Sequence, residues 1–126
     1  MKKLLICLVM ALPFALSAQE KSGWKEQNIF HDLMSHTFHP SEQGNLKPLK
    51  AKADSLVWGA RQWKASAIPS DFKPKETTEQ LAKLVKQCVA IQTAVKAKKD
   101  DAALTTMIKE AHDTFHTVVK ECKKGE

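Results

Sequence analysis

From Trp24 onward the apolar residues fall into four helical stripes separated by short polar or proline-bearing stretches. The first covers about Trp24 to Phe38, where Phe30, Leu33, Met34, Thr37 and Phe38 recur at three- and four-residue intervals, so they share one face of a 3.6-residue helix. His39-Pro40 follows and predicts its end, because a residue before proline is pushed out of the helical region. Ser41–Pro48 holds Gly44 and Pro48 and reads as a turn. Asn45 stands where it can cap the second helix, with Pro48 tolerated in the first turn. That helix runs to about Ser66 on a stripe of Leu49, Ala53, Leu56, Val57, Ala60 and Trp63. A loop from Ala67 to Pro74 follows, and Thr77 with Gln80 three residues on matches a capping box for the third helix. Leu81, Leu84, Val85, Cys88, Ile91 and Val95 line its inner face. After the basic stretch Lys96–Lys99, Asp100 or Asp101 caps a fourth helix. Its stripe is the cleanest: Leu104, Met107, Ile108, Ala111, Phe115, Val118 and Cys122.

Four amphipathic helices with short connections predict an all-α, antiparallel up-down-up-down four-helix bundle. Four glycines and no tyrosine in 126 residues speak against a β fold, which needs turn glycines and favours aromatic strand residues. Trp58 is the exception to the patterning, because it falls opposite the stripe of its own helix. It is a candidate contact for a second copy of the chain or for a protein partner.

The first eighteen residues follow a different rule. Met1-Lys2-Lys3 is a short basic start, Leu4–Leu16 is an apolar run, and Ser17-Ala18 places small residues before polar Gln19. This is the pattern of a secretory signal peptide cleaved after Ala18, so residues 19–126 are expected to form the bundle domain in the periplasm or outside the cell. The apolar run is short for a bilayer span, and no membrane attachment is expected after cleavage. Removing residues 1–18 leaves 108 of the 126 residues and takes away Lys2 and Lys3 with no acid, so the net charge falls from +6 to +4. With so mild a basic balance, and no arginine-rich stripe, nucleic acid is not expected as a partner.

Cys88 and Cys122 remain after cleavage, and an oxidising compartment invites a disulfide. If the third and fourth helices turn near Asp100, the two residues stand about 15 Å apart along the bundle axis at 1.5 Å of rise per residue. A bridge needs Cα atoms within about 7 Å. Both cysteines are therefore read as small apolar core residues.

The five histidines occupy two places, His31, His36 and His39 in the first segment and His112 and His116 in the fourth helix. The first and last helices of an up-down bundle are neighbours. His112 and His116 are spaced i, i+4, which stacks two imidazoles on one helix face and suits chelation of a single ion. Their angular positions, roughly 80° and 120° from the stripe centre, put them on the flank of the helix rather than in the core. His31 lies roughly 100° to the same side of its own stripe, at the height expected for His112. A groove site of His31, His112 and His116 follows, with His39 a further ligand if the first helix sits higher. Neutral imidazole suits zinc, copper, nickel and iron alike. His36 points away from the others.

The stretch Leu81–Cys122, with histidines near the end of a last helix and Met34 in the first, resembles the periplasmic b-type and c-prime cytochromes. That resemblance implies an exported electron carrier with His116 or His112 and Met34 as haem ligands. No C-x-x-C-H is present, so the haem it implies is haem b, held without covalent attachment. The reading carried forward is a transition-metal ion held by His31, His39, His112 and His116, because the angles put these rings on the flank. Haem bound by Met34 and His116 is the alternative, and a cofactor-free helical partner-binding protein is another. No Ser-His-Asp order, phosphate loop or paired core carboxylates point to catalysis.

Overall fold

A computed structural model describes residues 22–125 of the chain. The candidate signal peptide at 1–18 lies outside the described residues. Four helices account for most of the remainder: α1 (Lys25–Glu42), α2 (Lys47–Ala65), α3 (Pro74–Lys96) and α4 (Asp101–His116). A π-helical turn, Thr117–Glu121, continues α4. Each helix packs on the next and α1 closes against α4, so the four form an all-α bundle. No helix among the described residues is long and apolar enough to cross a membrane.

The stripes read from the sequence form the core. Phe30, Leu49, Leu56, Trp63, Leu84, Cys88, Ile91, Leu104, Ile108 and Val118 are fully buried. Their burial is the main stabilising term, at about 1.5–3 kcal/mol for each large apolar side chain. Both cysteines are free and buried, and burial alone pushes the Cys88 thiol up to about 12. Trp58 is 54 % exposed, the one large apolar side chain standing out from the described surface. Its neighbour Gly59 marks a close approach of α1 and α2, since a Cβ there would stand 2.7 Å from Leu33 Cδ1.

Three helix ends differ from expectation. α1 does not stop at His39-Pro40 but runs two residues past the proline. Pro40 sits in the last turn, where its missing N–H removes one backbone bond and the ring disturbs only the turn before it. The end is fixed instead by Gly44 in the left-handed region, at φ 81°. Gly44 N–H then donates to Ser41 O and Asn45 N–H to Pro40 O, the paired closure of a Schellman motif. The turn expected over Ser41–Pro48 thus shrinks to Gln43–Leu46, and Leu46 rather than Asn45 holds the N-cap position of α2. The third helix begins a turn early, at Pro74, whose fixed φ and absent N–H suit a first helical position. Thr77 is therefore a buried helix residue, not a cap. Asp100 does cap α4, accepting from the Ala103 N–H at 2.9 Å.

After the π turn the chain docks on the loop before α3. Lys73 N–H donates to Cys122 O at 2.7 Å and Lys124 N–H to Asp71 O at 2.8 Å. Trp24, Trp63 and Phe72 form an aromatic cluster at the same end. The Trp24 indole N–H donates to Ser66 Oγ at 2.8 Å, tying the start of α1 to the end of α2.

Candidate functional site

The two helices that carry all five histidines are in contact. Between them lies an open groove of about 380 Å³. Its α1 wall is His31, Met34, Ser35, Phe38, His39 and Glu42, and its α4 wall is His112, Phe115 and His116. The apolar stripes create this arrangement. Each helix turns Phe38 or Phe115 inward, and the residue one step round from each stripe then meets its counterpart across the seam. His36 lies outside the groove, its Nδ1 2.7 Å from Asp32 O on its own helix.

The register differs from the expected one. His31 stacks on Phe115, with ring centroids 5.4 Å apart and planes 19° from parallel. His112 lies higher, flat against Phe38 at 3.8 Å and 10°, and meets His39 edge-on at 6.5 Å. The expected level match of His31 with His112 is therefore shifted by about one helical turn, and His39 takes the place beside His112. α1 is thus displaced along α4 by about one turn from that level match, and its extension through Pro40 keeps His39 on the helix, lining the groove.

His112 and His116 meet directly. Their Nε2 atoms are 3.2 Å apart and their ring centroids 4.5 Å. At this distance one imidazole donates its N–H to the other, so at most one of the two nitrogens carries a proton. The Nδ1 of His116 is buried without a hydrogen-bond partner. An unpaired bare nitrogen is cheaper there than an unpaired N–H, which assigns His116 Nε2–H as donor and His112 Nε2 as acceptor. Burial holds both imidazoles below the usual histidine range. The neighbouring His116 adds to the effect at His112, and Lys120 and His31 add to it at His116. Both rings are therefore neutral at neutral pH, the form that binds metals.

The remaining members are looser. His39 is exposed, and its Nδ1 is 3.2 Å from Glu42 Oε1, one turn along α1. Met34 is 1 % exposed and packs into the core beneath the groove. Among the described residues, no three His, Cys, Asp or Glu side chains stand close enough together to enclose an ion as placed. A larger hollow of about 500 Å³ lies at the other end of the bundle around Trp24, Gln27 and Phe72, and no histidine lines it.

Phe38, Phe115 and Glu42 are groove residues that sequence reasoning did not single out. Phe38 was visible as an apolar residue one step before His39. Glu42, three residues after His39, was obscured by the expected helix end at Pro40. No family model, no curated protein and no solved structure matches the chain.

Proposed function

We propose that this protein is an exported four-helix bundle that binds one transition-metal ion in the α1–α4 groove through its imidazoles. The observation that carries the proposal is the 3.2 Å separation of His112 Nε2 and His116 Nε2. Two nitrogens bound at about 2.0–2.1 Å to one tetrahedral ion stand about 3.3 Å apart. The pair already has the spacing of two ligands and is held neutral by burial. The ion would replace the hydrogen bond between the rings, and the His116 proton would move from Nε2 to Nδ1, leaving both Nε2 lone pairs to the ion. His31 and His39 on the facing helix line the same groove, and further nitrogen donors would come from there.

The up-down order of the helices belongs to this reading. Phe38, late in α1, stacks on His112 while His31, about two turns earlier, stacks on Phe115, the trend of two helices running in opposite directions. Export to the periplasm rests on the apolar run Leu4–Leu16 followed by Ser17-Ala18.

The haem alternative has less support. A haem ligand must present its nitrogen to an open slot between helices. The face of His112 is covered by Phe38, its Nε2 is turned to His116, and Met34 is packed among core residues. A cofactor-free partner-binding protein is favoured by one observation, the exposed Trp58, which lies on α2, a helix that does not line the groove.

Calorimetric titration of the purified protein with Zn²⁺, Cu²⁺ and Ni²⁺ tests the proposal, with visible spectra recorded after adding haem. One equivalent of ion is expected to bind, and His112→Ala or His116→Ala is expected to abolish binding. Absence of uptake of all three ions overturns the metal reading. A Soret band that disappears in Met34→Leu and His116→Ala restores the haem one.

A further inference from the structure

Resting on the metal reading above, we propose that His39 is the third ligand of the ion, bound through Nε2, and that Glu42 is the positioning residue that holds it there. His31 is not a ligand in this assignment. The ion is then a divalent one of the zinc, copper or nickel kind, bound by three imidazole nitrogens with a position open to solvent.

Two imidazoles on one tetrahedral ion have ring centroids about 5 Å apart, given nitrogen–metal distances of about 2.1 Å. His112 and His116 are at 4.5 Å and His39 and His112 at 6.5 Å. His39 is thus about 1.5 Å too far from His112. Its side chain is 65 % exposed and is free to close that gap by a small rotation. His31 faces a different constraint, since its ring is laid flat on Phe115 and must give up that stack to turn toward the pair.

Glu42 decides which nitrogen of His39 is available. Its Oε1 lies 3.2 Å from His39 Nδ1, so a proton on Nδ1 is donated to the carboxylate and the lone pair is left on Nε2. A carboxylate behind a histidine fixes its tautomer and raises its basicity, and this is the usual outer partner of a metal-bound imidazole. His39 and Glu42 both line the groove that holds the pair.

The donor set determines the class of ion. The groove offers little sulfur, since Met34 reaches its wall but is only 1 % exposed. Cys88 and Cys122 are buried. Nitrogen donors without thiolate or thioether select borderline divalent ions over Cu⁺.

The test uses Cu²⁺ with electron paramagnetic resonance, together with Zn²⁺ titration, on the purified protein and on variants shown by thermal melting without metal to be folded. The expected result is nitrogen coupling from three imidazoles in the parent and from two in His39→Ala, whose affinity falls at least tenfold. Glu42→Leu is expected to weaken Zn²⁺ binding about 10–100-fold, the range for removing such an outer partner. Glu42→Gln, which keeps an acceptor oxygen, is expected to recover most of that loss. His31→Ala is expected to leave affinity and coupling unchanged. If His31→Ala removes a nitrogen and His39→Ala does not, the assignment is overturned while metal binding stands. If Glu42→Leu matches the parent, the positioning role is overturned. If the parent binds neither ion, the metal reading itself has failed.

Discussion

Lowering the pH is expected to destabilise this fold through one pair of side chains, and the size of the effect follows from the geometry. Burial depresses the folded-state pKa of both His112 and His116, so the unfolded chain binds more protons than the folded one below the ordinary histidine value of about 6.5. Stability then rises with pH. The contribution is fully present above about pH 6.5 and is lost as the pH falls through the lower folded values. Groups from both helices face the pair. His39, His31 and Lys120 oppose protonation, while Glu42 and Asp113 favour it. With both rings charged at a centroid distance of 4.5 Å, the repulsion is about 1 kcal/mol at the dielectric of water and about 4 kcal/mol at an effective dielectric of 20. The rings are partly exposed, so solvent screening places the effect near the lower end, at about 1–2 kcal/mol. Loss of the hydrogen bond between the rings adds about 1 kcal/mol. For a domain of this size 1 kcal/mol moves the melting temperature by about 4–8 °C. Melting curves recorded between pH 7.5 and 5 in the presence of a chelator should therefore show about 10 °C more loss for the parent than for His116→Gln, which removes both the repulsion and the pair. Parallel curves for the two proteins would refute the reasoning.

Three further outcomes follow from other parts of the fold. Lys98 closes α3 with φ 58°, in the left-handed region, and Lys99 N–H and Lys98 N–H donate to Ala94 O and Val95 O. Lys98→Gly should raise stability by about 0.5–1 kcal/mol, read from urea midpoints at unchanged slope, and a lowered midpoint would refute it. The Cys88 thiol, pushed up to about 12 and buried, should react with a disulfide reagent at pH 8 only as fast as the protein opens. Its rate should climb with denaturant, and rapid labelling of the native protein counts against the core placement. Trp58→Ser should change stability by no more than about 0.5 kcal/mol while removing the part of the tryptophan emission that acrylamide quenches readily. A large loss of stability would show that Trp58 packs against something in solution.

Helix positions and core residues could be read from the sequence because they follow from one physical variable, the side of each helix on which apolar residues recur. Every fully buried large side chain from Phe30 to Val118 belongs to a stripe with 3–4 spacing. Helix ends depend on competition between local preferences, and there single-residue rules fail. Pro40 disfavours helix locally, but burial of Phe38 and Ser41 on either side, with Gly44 ready to close the turn, outweighs one lost bond. Thr77 and Gln80 match a capping box, yet Pro74 already supplies a helix start. The flank position of His112 and His116 was likewise legible from angles alone. Which α1 residue meets them was not, because the axial offset of α1 against α4 is set by packing across the seam and not by spacing within either helix. An offset of about one turn put His31 rather than His39 level with His112, and the helix end expected at Pro40 hid Glu42.

Fold and groove rest on largely separate residues, and this makes the functional proposal open to clean refutation. The imidazoles of His31, His39, His112 and His116 contribute none of the buried core, which is closed beneath them by Phe30, Met34, Phe38 and Phe115. Removing an imidazole edge at a partly exposed position leaves no large cavity, and solvent can reach the groups left behind. The expected stability change is small, on the order of 1 kcal/mol or less. Phe38 is the exception, since it belongs to the core and also covers the face of His112. Phe38→Ala should cost about 3 kcal/mol in stability through the cavity it opens, and should also free the ring of His112 to rotate. Phe38→Leu keeps most of the core volume but loses the flat stack. It should therefore separate the two roles. A Phe38→Leu protein of near-parent stability whose Zn²⁺ affinity falls would show that the stack holds His112 in line with His116. If affinity is unchanged, the i, i+4 spacing on α4 is by itself enough to set the pair.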